Sequence, residues 1–221
     1  MKKKAEVILA LDVDTLTEAK RFVNKLYPKI KTFKVGAHLF TACGPKIIEL
    51  IRKKGAEVFL DLKYFDIPNT VAKAVAAATR MKVKMLTLHI LGDEEMLKAA
   101  LKAAKEEAAR LKSRRPLLIG VTVLTSREAS FSDVFTLAKM GIESGLDGVV
   151  CSAREARLLK QKINKKFLIV TPGIRPDGLN CNDQKRTATV SEAIDAGSDF
   201  LVIGRPVLQA KHPLAVVNEL I

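Results

Sequence analysis

The segment DLKYFDIPNT, residues 61–70, places two aspartates and a lysine directly after the apolar run AEVFL. Ionisable side chains at the end of a buried strand are costly unless they pair with one another or take part in chemistry. A lysine that stays protonated in a site shielded from water can stabilise negative charge on carbon and then donate its proton. Asp61, Lys63 and Asp66, with Lys34 nearby, are therefore candidate catalytic residues; a strand-end ion pair is the structural alternative.

Two glycine–arginine loops occur late in the chain, in TPGIR (171–175) and IGRPV (203–207). Arginine offers a planar fork of donors that suits a phosphate group, and glycine lets the backbone approach a ligand closely. Phosphate sites in (β/α)8 barrels commonly use the loops that follow strands 7 and 8. The two loops therefore predict an anion site that contains Arg175, Gly204 and Arg205.

Eight short apolar runs alternate with helical patterns along the chain. The predicted strands are residues 6–12, 31–36, 56–63, 84–90, 117–124, 147–152, 167–172 and 199–204. The predicted helices are residues 15–27, 43–55, 69–81, 93–112, 132–145, 152–164 and 189–197. This alternation is typical of a parallel sheet, and eight such units predict a single (β/α)8 barrel domain over residues 1–221. An open doubly wound sheet is the alternative, but no G-x-G-x-x-G follows the first strand.

The third strand predicts which side chains enter the barrel. Neighbouring side chains of a strand point to opposite faces, so Phe59, Asp61 and Lys63 share one face, and Leu60 and Leu62 lie on the other. The apolar face suits packing against the outer helices. Asp61 and Lys63 are then expected at the carboxyl-terminal mouth, where enzymes of this fold build their active sites.

The same alternation brings three more polar side chains to that mouth: Asp12, Lys34 and His89. Convergence of polar groups on one rim is the strongest functional signal in the sequence. We interpret His89 as a histidine at the edge of the core, and contact with substrate is the alternative. Asn69 or Thr70 is expected to cap the helix that follows Asp66.

Composition excludes several classes of protein. No apolar stretch reaches the roughly 18 residues of a membrane span. The three cysteines form no C-x-x-C pair, which favours a reducing cytoplasm over a disulfide framework, and the three scattered histidines predict no metal site. The formal net charge of +14 comes largely from lysines on helical stretches, as on a solvated surface. A basic nucleic-acid-binding protein is the alternative, but no helix-turn-helix, zinc or RNP signature accompanies it.

The motifs ALDV, FKVG, DLKYFDIPNT, TVLTS, VTPGIRP, NDQKR and VIGRP occur in an order that resembles the orotidine 5′-phosphate decarboxylase family, over nearly the whole chain. The resemblance implies a homodimeric (β/α)8 barrel that makes UMP from orotidine monophosphate without metal or organic cofactor, and without nucleic-acid or membrane partners. By this resemblance, Lys63 is the proton donor and Asp61 lies beside the substrate carboxylate. Lys34 is the lysine that connects the ribose to the row of alternating charges.

The resemblance also assigns the remaining substrate contacts. Asp66 and Thr70 are expected to serve the partner's site across the dimer interface. The other expected contacts are Asp12 for the ribose, Thr125 and Ser126 for the pyrimidine, Arg175, Gln184, Gly204 and Arg205 for the phosphate, and Ile67 and Pro172 elsewhere along the substrate. The magnesium-dependent keto-gulonate-phosphate decarboxylases resemble the chain at D-x-K-x-x-D, but they usually carry a metal-binding carboxylate where this chain has Lys34.

Overall fold

The computed structural model describes residues 5–124, 129–176 and 187–221. Eight parallel strands, each hydrogen-bonded to the next and β8 to β1, form a closed barrel, which confirms the predicted fold. The strands are β1 (Glu6–Ala10), β2 (Thr32–Gly36), β3 (Glu57–Tyr64), β4 (Met85–His89), β5 (Leu117–Val121), β6 (Gly148–Val150), β7 (Leu168–Thr171) and β8 (Phe200–Ile203). Most strands end before their predicted last residues, because the chain leaves the sheet at the mouth.

Helices lie between the strands. They are α1 (Leu16–Leu26), α2 (Ala37–Cys43), α3 (Lys46–Lys53), α4 (Pro68–Arg80), α5 (Asp93–Arg110), α6 (Phe131–Glu143), α7 (Ala153–Lys162), α8 (Val190–Asp195), α9 (Arg205–Leu208) and α10 (Pro213–Leu220). Among the described residues, no helix is both long enough and apolar enough to cross a membrane.

The predicted helices agree with those observed to within two residues at each end, except at the start of the helix expected over 43–55. The helix expected over 43–55 begins only at Lys46, as α3, because Gly44 adopts φ 58° and Pro45 precedes the helix; the separate helix α2, which ends at Cys43, was not predicted. Helix α4 begins at Pro68, so neither Asn69 nor Thr70 is its N-cap. Proline fits the first turn of a helix because it lacks the N–H that would be unsatisfied there.

The buried residues form two layers that follow the alternation of the strands. Phe59 packs in a small cluster inside the barrel with residues such as Ile8 and Val170. Val58 and Leu60, the neighbours of Phe59, belong to the large cluster between the sheet and the helices. This division confirms the predicted faces of β3, and it directs Asp61 into the barrel.

The pairing of β3 with β4 is irregular at the mouth. Leu60 pairs with Leu86, but the next pair is Tyr64 with Leu88, so β3 contains two extra residues at this point. Lys63 lies within this bulge and adopts φ 50°, a left-handed conformation that is uncommon for lysine. The bulge therefore fixes the direction in which Lys63 leaves the strand.

Candidate active site

A cavity of about 230 Å³ opens at the carboxyl-terminal end of the barrel. It brings together eight of the residues singled out from the sequence: Asp12, Lys34, Asp61, Lys63, Pro172, Arg175, Gly204 and Arg205. Apolar side chains of β3, β5, β6, β7 and β8 complete its floor and wall. The cavity thus has a charged side formed by β1, β2 and β3, and an arginine-containing side formed by the loops after β7 and β8.

The charged side is a chain of ion pairs. Lys63 Nζ lies 2.9 Å from Asp61 Oδ1, and Lys34 Nζ lies 3.4 Å from Asp61 Oδ2. Lys34 Nζ also lies 3.5 Å from Asp12 Oδ1. The array within one chain is therefore Asp12–Lys34–Asp61–Lys63, whereas the sequence predicted Lys34, Asp61, Lys63 and Asp66.

Asp61 is the centre of this array, with a side chain only 12% exposed. Burial acts to raise the pKa of the Asp61 carboxyl, but the positive charges of Lys34 and Lys63 and hydrogen bonds from Lys63 and Thr87 outweigh it. The net result is a pKa below the ordinary value for aspartate, so Asp61 is ionised at neutral pH. A fixed negative charge at this position keeps both lysines directed toward the cavity.

Thr87, which was not predicted as a site residue, is fully buried on β4. The Thr87 hydroxyl donates to Asp61 Oδ1 at 2.9 Å and accepts from the Lys63 backbone N–H at 2.8 Å. The alternation of β4, which places Thr87 on the same face as His89, is a signal that could have found it.

Two glycines on the arginine-containing side, Gly173 and Gly204, are required for different physical reasons. Gly173 adopts φ 76°, which favours glycine in the turn that leads to Arg175. At Gly204 a Cβ atom would lie 3.2 Å from Asp12 Oδ2, so a larger residue there would crowd the charged side of the cavity. Arg175 is buried and Arg205 is partly buried, and both line the cavity.

Three predicted site residues lie outside the cavity of their own chain. Asp66, Ile67 and Thr70 are exposed at the end of β3 and the start of α4. Asp66 Oδ1 accepts a hydrogen bond from the Ile67 backbone N–H at 2.7 Å, which fixes the loop before the helix. The adjacent surface is apolar: Phe65 is 59% exposed, Ile67 66% and Leu91 58%.

His89 lies beside the site and is not part of the described cavity lining. Its ring centroid is 5.7 Å from that of Phe65, and burial together with the charge of Lys63 lowers the pKa of His89 below its ordinary value. His89 is therefore neutral at physiological pH. This position agrees with the interpretation of His89 as a residue at the edge of the core.

Thr125, Ser126 and Gln184 lie outside the described residues. Within the described ranges, no group of three or more His, Cys, Asp or Glu side chains is arranged to hold a metal ion.

A closed parallel barrel with an ion-pair array and two arginines at the carboxyl ends of its strands has the architecture of a (β/α)8-barrel enzyme. The model of the Orotidine 5′-phosphate decarboxylase / HUMPS family matches residues 5–220. The chain therefore belongs to this family.

Individual relatives agree with the family match. The chain is 48% identical to orotidine 5′-phosphate decarboxylase of Aliivibrio fischeri strain MJ11, over 99% of this chain and 96% of that protein. It is 47% identical to the enzyme of the same name from Vibrio cholerae strain O395, over 97% and 96% of the two chains. The crystal structure of orotidine 5′-phosphate decarboxylase from Lactobacillus acidophilus matches with a TM-score of 0.86 and 35% identity, over 98% of this chain and 97% of that one.

Proposed function

We propose that this protein decarboxylates orotidine 5′-monophosphate to UMP in de novo pyrimidine synthesis, with Lys63 as the proton donor. The chain is a carboxy-lyase by its family and by relatives that match over nearly its full length. The observation that carries the residue-level proposal is the Asp61–Lys63 pair, with its 2.9 Å separation, in one cavity with Arg175 and Arg205.

The proposed chemistry needs a stabilised carbanion and one proton. The bond between C6 of the pyrimidine and its carboxylate breaks, CO₂ leaves, and the electron pair stays on C6. The protonated Lys63 ammonium stabilises this negative charge and then transfers its proton to C6, and water later reprotonates the amine. Asp61 pairs with the Lys63 ammonium at 2.9 Å and holds it at the charged side of the cavity.

In this proposal, different parts of the cavity bind different parts of the substrate. Arg175, Gly204 and Arg205 hold the phosphate, for which forked guanidinium donors are suited. Asp12 and Lys34 hold the ribose hydroxyls at the charged side, where both side chains line the cavity. The predicted contacts of Thr125 and Ser126 with the pyrimidine, of Gln184 with the phosphate and of Pro172 with the substrate are part of the same proposal.

We further propose that the active enzyme is a homodimer with shared sites. Asp66 and Thr70 are exposed and do not line the cavity of their own chain, and Phe65, Ile67 and Leu91 form an apolar surface around Asp66. Exposed apolar side chains clustered in this way are typical of a protein interface. In the dimer, Asp66, Ile67 and Thr70 of each chain complete the site of the other chain.

We propose a cytoplasmic location, which the free thiols of Cys43 and Cys151 support.

The loss of orotidine monophosphate absorbance measures the proposed reaction directly. We expect turnover by the purified protein, with the same rate in the presence of a chelator. Absence of turnover would refute the proposed function, and loss of turnover with the chelator would favour a metal-dependent branch of the family.

A subunit-mixing experiment tests the shared sites. Lys63→Ala and Asp66→Ala homodimers are each expected to be nearly inactive. In a heterodimer of the two, one site receives both defects and the other receives neither, so subunit exchange restores about half of the wild-type activity per heterodimer. If exchange is verified by labelled subunits and no activity returns, Asp66 acts within its own chain and the shared-site proposal is wrong.

A further inference from the structure

Thr87 is a polar residue in an apolar part of the barrel. It is fully buried, and the neighbouring interior cluster consists of apolar side chains such as Phe59, Met85 and Ile119. A buried hydroxyl without partners is costly, so the presence of threonine here depends on the bonds that it makes. Both of these bonds go to the segment of β3 that carries Asp61 and Lys63.

The two hydrogen bonds have a fixed direction. A backbone N–H can only donate, so the Thr87 hydroxyl accepts from the N–H of Lys63 at 2.8 Å. The proton of the hydroxyl is then directed to Asp61 Oδ1, 2.9 Å away. The same oxygen also accepts from Lys63 Nζ at 2.9 Å. Thr87 therefore joins the backbone of one charged residue to the carboxylate of the other.

The irregular pairing of β3 explains why such a link is needed. Regular pairing with β4 stops after Leu60 and resumes at Tyr64, so Lys63 lies in the interruption. The Thr87 hydroxyl provides a partner for the Lys63 N–H at this point. A left-handed φ of 50° is uncommon for lysine and costs free energy. The bond from the Lys63 N–H to Thr87 helps to offset this cost.

We propose that Thr87 is a positioning residue for the proton-transfer pair: it holds Lys63 in its left-handed conformation and fixes the carboxylate of Asp61 against the Lys63 ammonium. The inference rests on the proposed decarboxylation. Thr87 itself is not part of the described lining of the cavity, so it acts through Asp61 and Lys63. Removal of its hydroxyl should slow the chemical step and leave the binding of product largely unchanged.

The matched variants are Thr87→Val, which keeps the shape and removes the hydroxyl, and Thr87→Ser, which keeps the hydroxyl. Thr87→Ala is the second hydroxyl-free variant and decides the question if Thr87→Val does not fold. Thr79→Val is the control, because Thr79 is also buried but its hydroxyl bonds to Val75 O within α4. For each variant, kcat and KM for orotidine monophosphate and the dissociation constant of UMP are measured.

We expect kcat to fall about ten- to hundredfold in Thr87→Val, as for loss of a hydrogen bond to a charged group, with UMP affinity within about threefold of wild type. Thr87→Ser should recover most of kcat, and Thr79→Val should be unchanged. A kcat within about threefold of wild type in the hydroxyl-free variants would overturn the proposal. Equal losses of kcat and UMP affinity would also overturn it, because they indicate a general structural role. Failure of the wild-type protein to turn over the substrate would instead refute the proposed function.

Discussion

The two ends of the barrel each carry a cluster of lysines and carboxylates, but the clusters are built differently. At the amino end, Lys84 Nζ lies 2.8 Å from both oxygens of Glu6, 2.6 Å from Glu57 Oε2 and 3.1 Å from the Thr32 hydroxyl. At the carboxyl end, Lys34 Nζ lies 3.4–3.5 Å from its carboxylates. Lys84 is saturated by protein groups, whereas at the carboxyl end Lys34 has only long contacts and Lys63 makes a close contact of 2.9 Å with Asp61.

Other charged side chains at the amino end are also closely paired with protein groups. Arg115 forms a bidentate pair with Asp147 at 2.6 and 2.8 Å, and Asp147 also accepts from the Leu118 backbone N–H. Asp199 accepts in the same way from the Ile169 N–H. Charges that are satisfied by backbone and side chains stabilise the barrel, whereas loosely paired charges around a cavity can interact with a ligand. A charged cluster alone therefore does not identify a site; its geometry does.

Among substitutions at the carboxyl end of the barrel, Lys63→Ala should cause the largest loss of kcat. Loss of the proton donor and of its positive charge should reduce kcat by at least about 10⁴-fold, since both general acid catalysis and electrostatic stabilisation are removed. The barrel should remain folded, because Lys63 is partly exposed at the mouth. Steady-state assays measure kcat and circular dichroism measures folding, with Lys73→Ala on the exposed face of α4 as control. Near-wild-type turnover would show that Lys63 is not the donor.

Arg205→Ala should have an intermediate effect, limited to the phosphate. A lost charge-assisted hydrogen bond costs about 1.5–3 kcal/mol, so the affinity for UMP should fall roughly ten- to hundredfold. The affinity for uridine, which lacks the phosphate, should change little. Calorimetric titration with both ligands measures the difference, and Arg154→Ala on α7 is a surface control. Equal losses for UMP and uridine would mean that the loop after β8 does not hold the phosphate.

The sequence predicted the part of the site that depends on strand alternation. Phe59 and Asp61 point into the barrel, and Leu60 points to the helices, because a period of two and a parallel sheet leave few other arrangements. The positions of Asp12 and Lys34 at the mouth follow from the same rule. Regular geometry is thus the part of the fold that is readable from a pattern of apolar and polar residues.

The sequence could not predict features that depend on irregular pairing between strands. The bulge that contains Lys63 changes the register between β3 and β4, and no local pattern marks it. The alternation of β4 places Thr87 on the same face as His89, but threonine is common in strands, so its bond to Asp61 is not apparent until the distance between them is known. The pairing of Lys34 with Asp12, and not with Asp66 of the same chain, likewise depends on tertiary geometry.

The smallest expected effect concerns the contribution of Asp61 to stability. The folded-state pKa of Asp61 is below its unfolded value of about 3.9, so its ionised form stabilises the fold above that pH. This contribution is lost as pH falls through the folded-state pKa. The difference in unfolding free energy between wild type and Asp61→Asn should therefore narrow between about pH 5 and pH 3. Urea titrations at several pH values measure it, and a difference that is constant or widens over this range would contradict the direction of the pKa shift.

We infer that the carboxyl-end charges serve chemistry and the amino-end charges serve stability. Lys34 and Lys84 test it as a matched pair, because their side chains are 13% and 19% exposed and each contacts two carboxylates. The measurement is kcat/KM together with the unfolding free energy of Lys34→Met and Lys84→Met. We expect Lys34→Met to lose at least about 10²-fold in kcat/KM with the smaller loss of stability. Lys84→Met should lose about 1–3 kcal/mol of stability and keep kcat/KM within about threefold. Similar losses of both quantities in both variants would contradict the account.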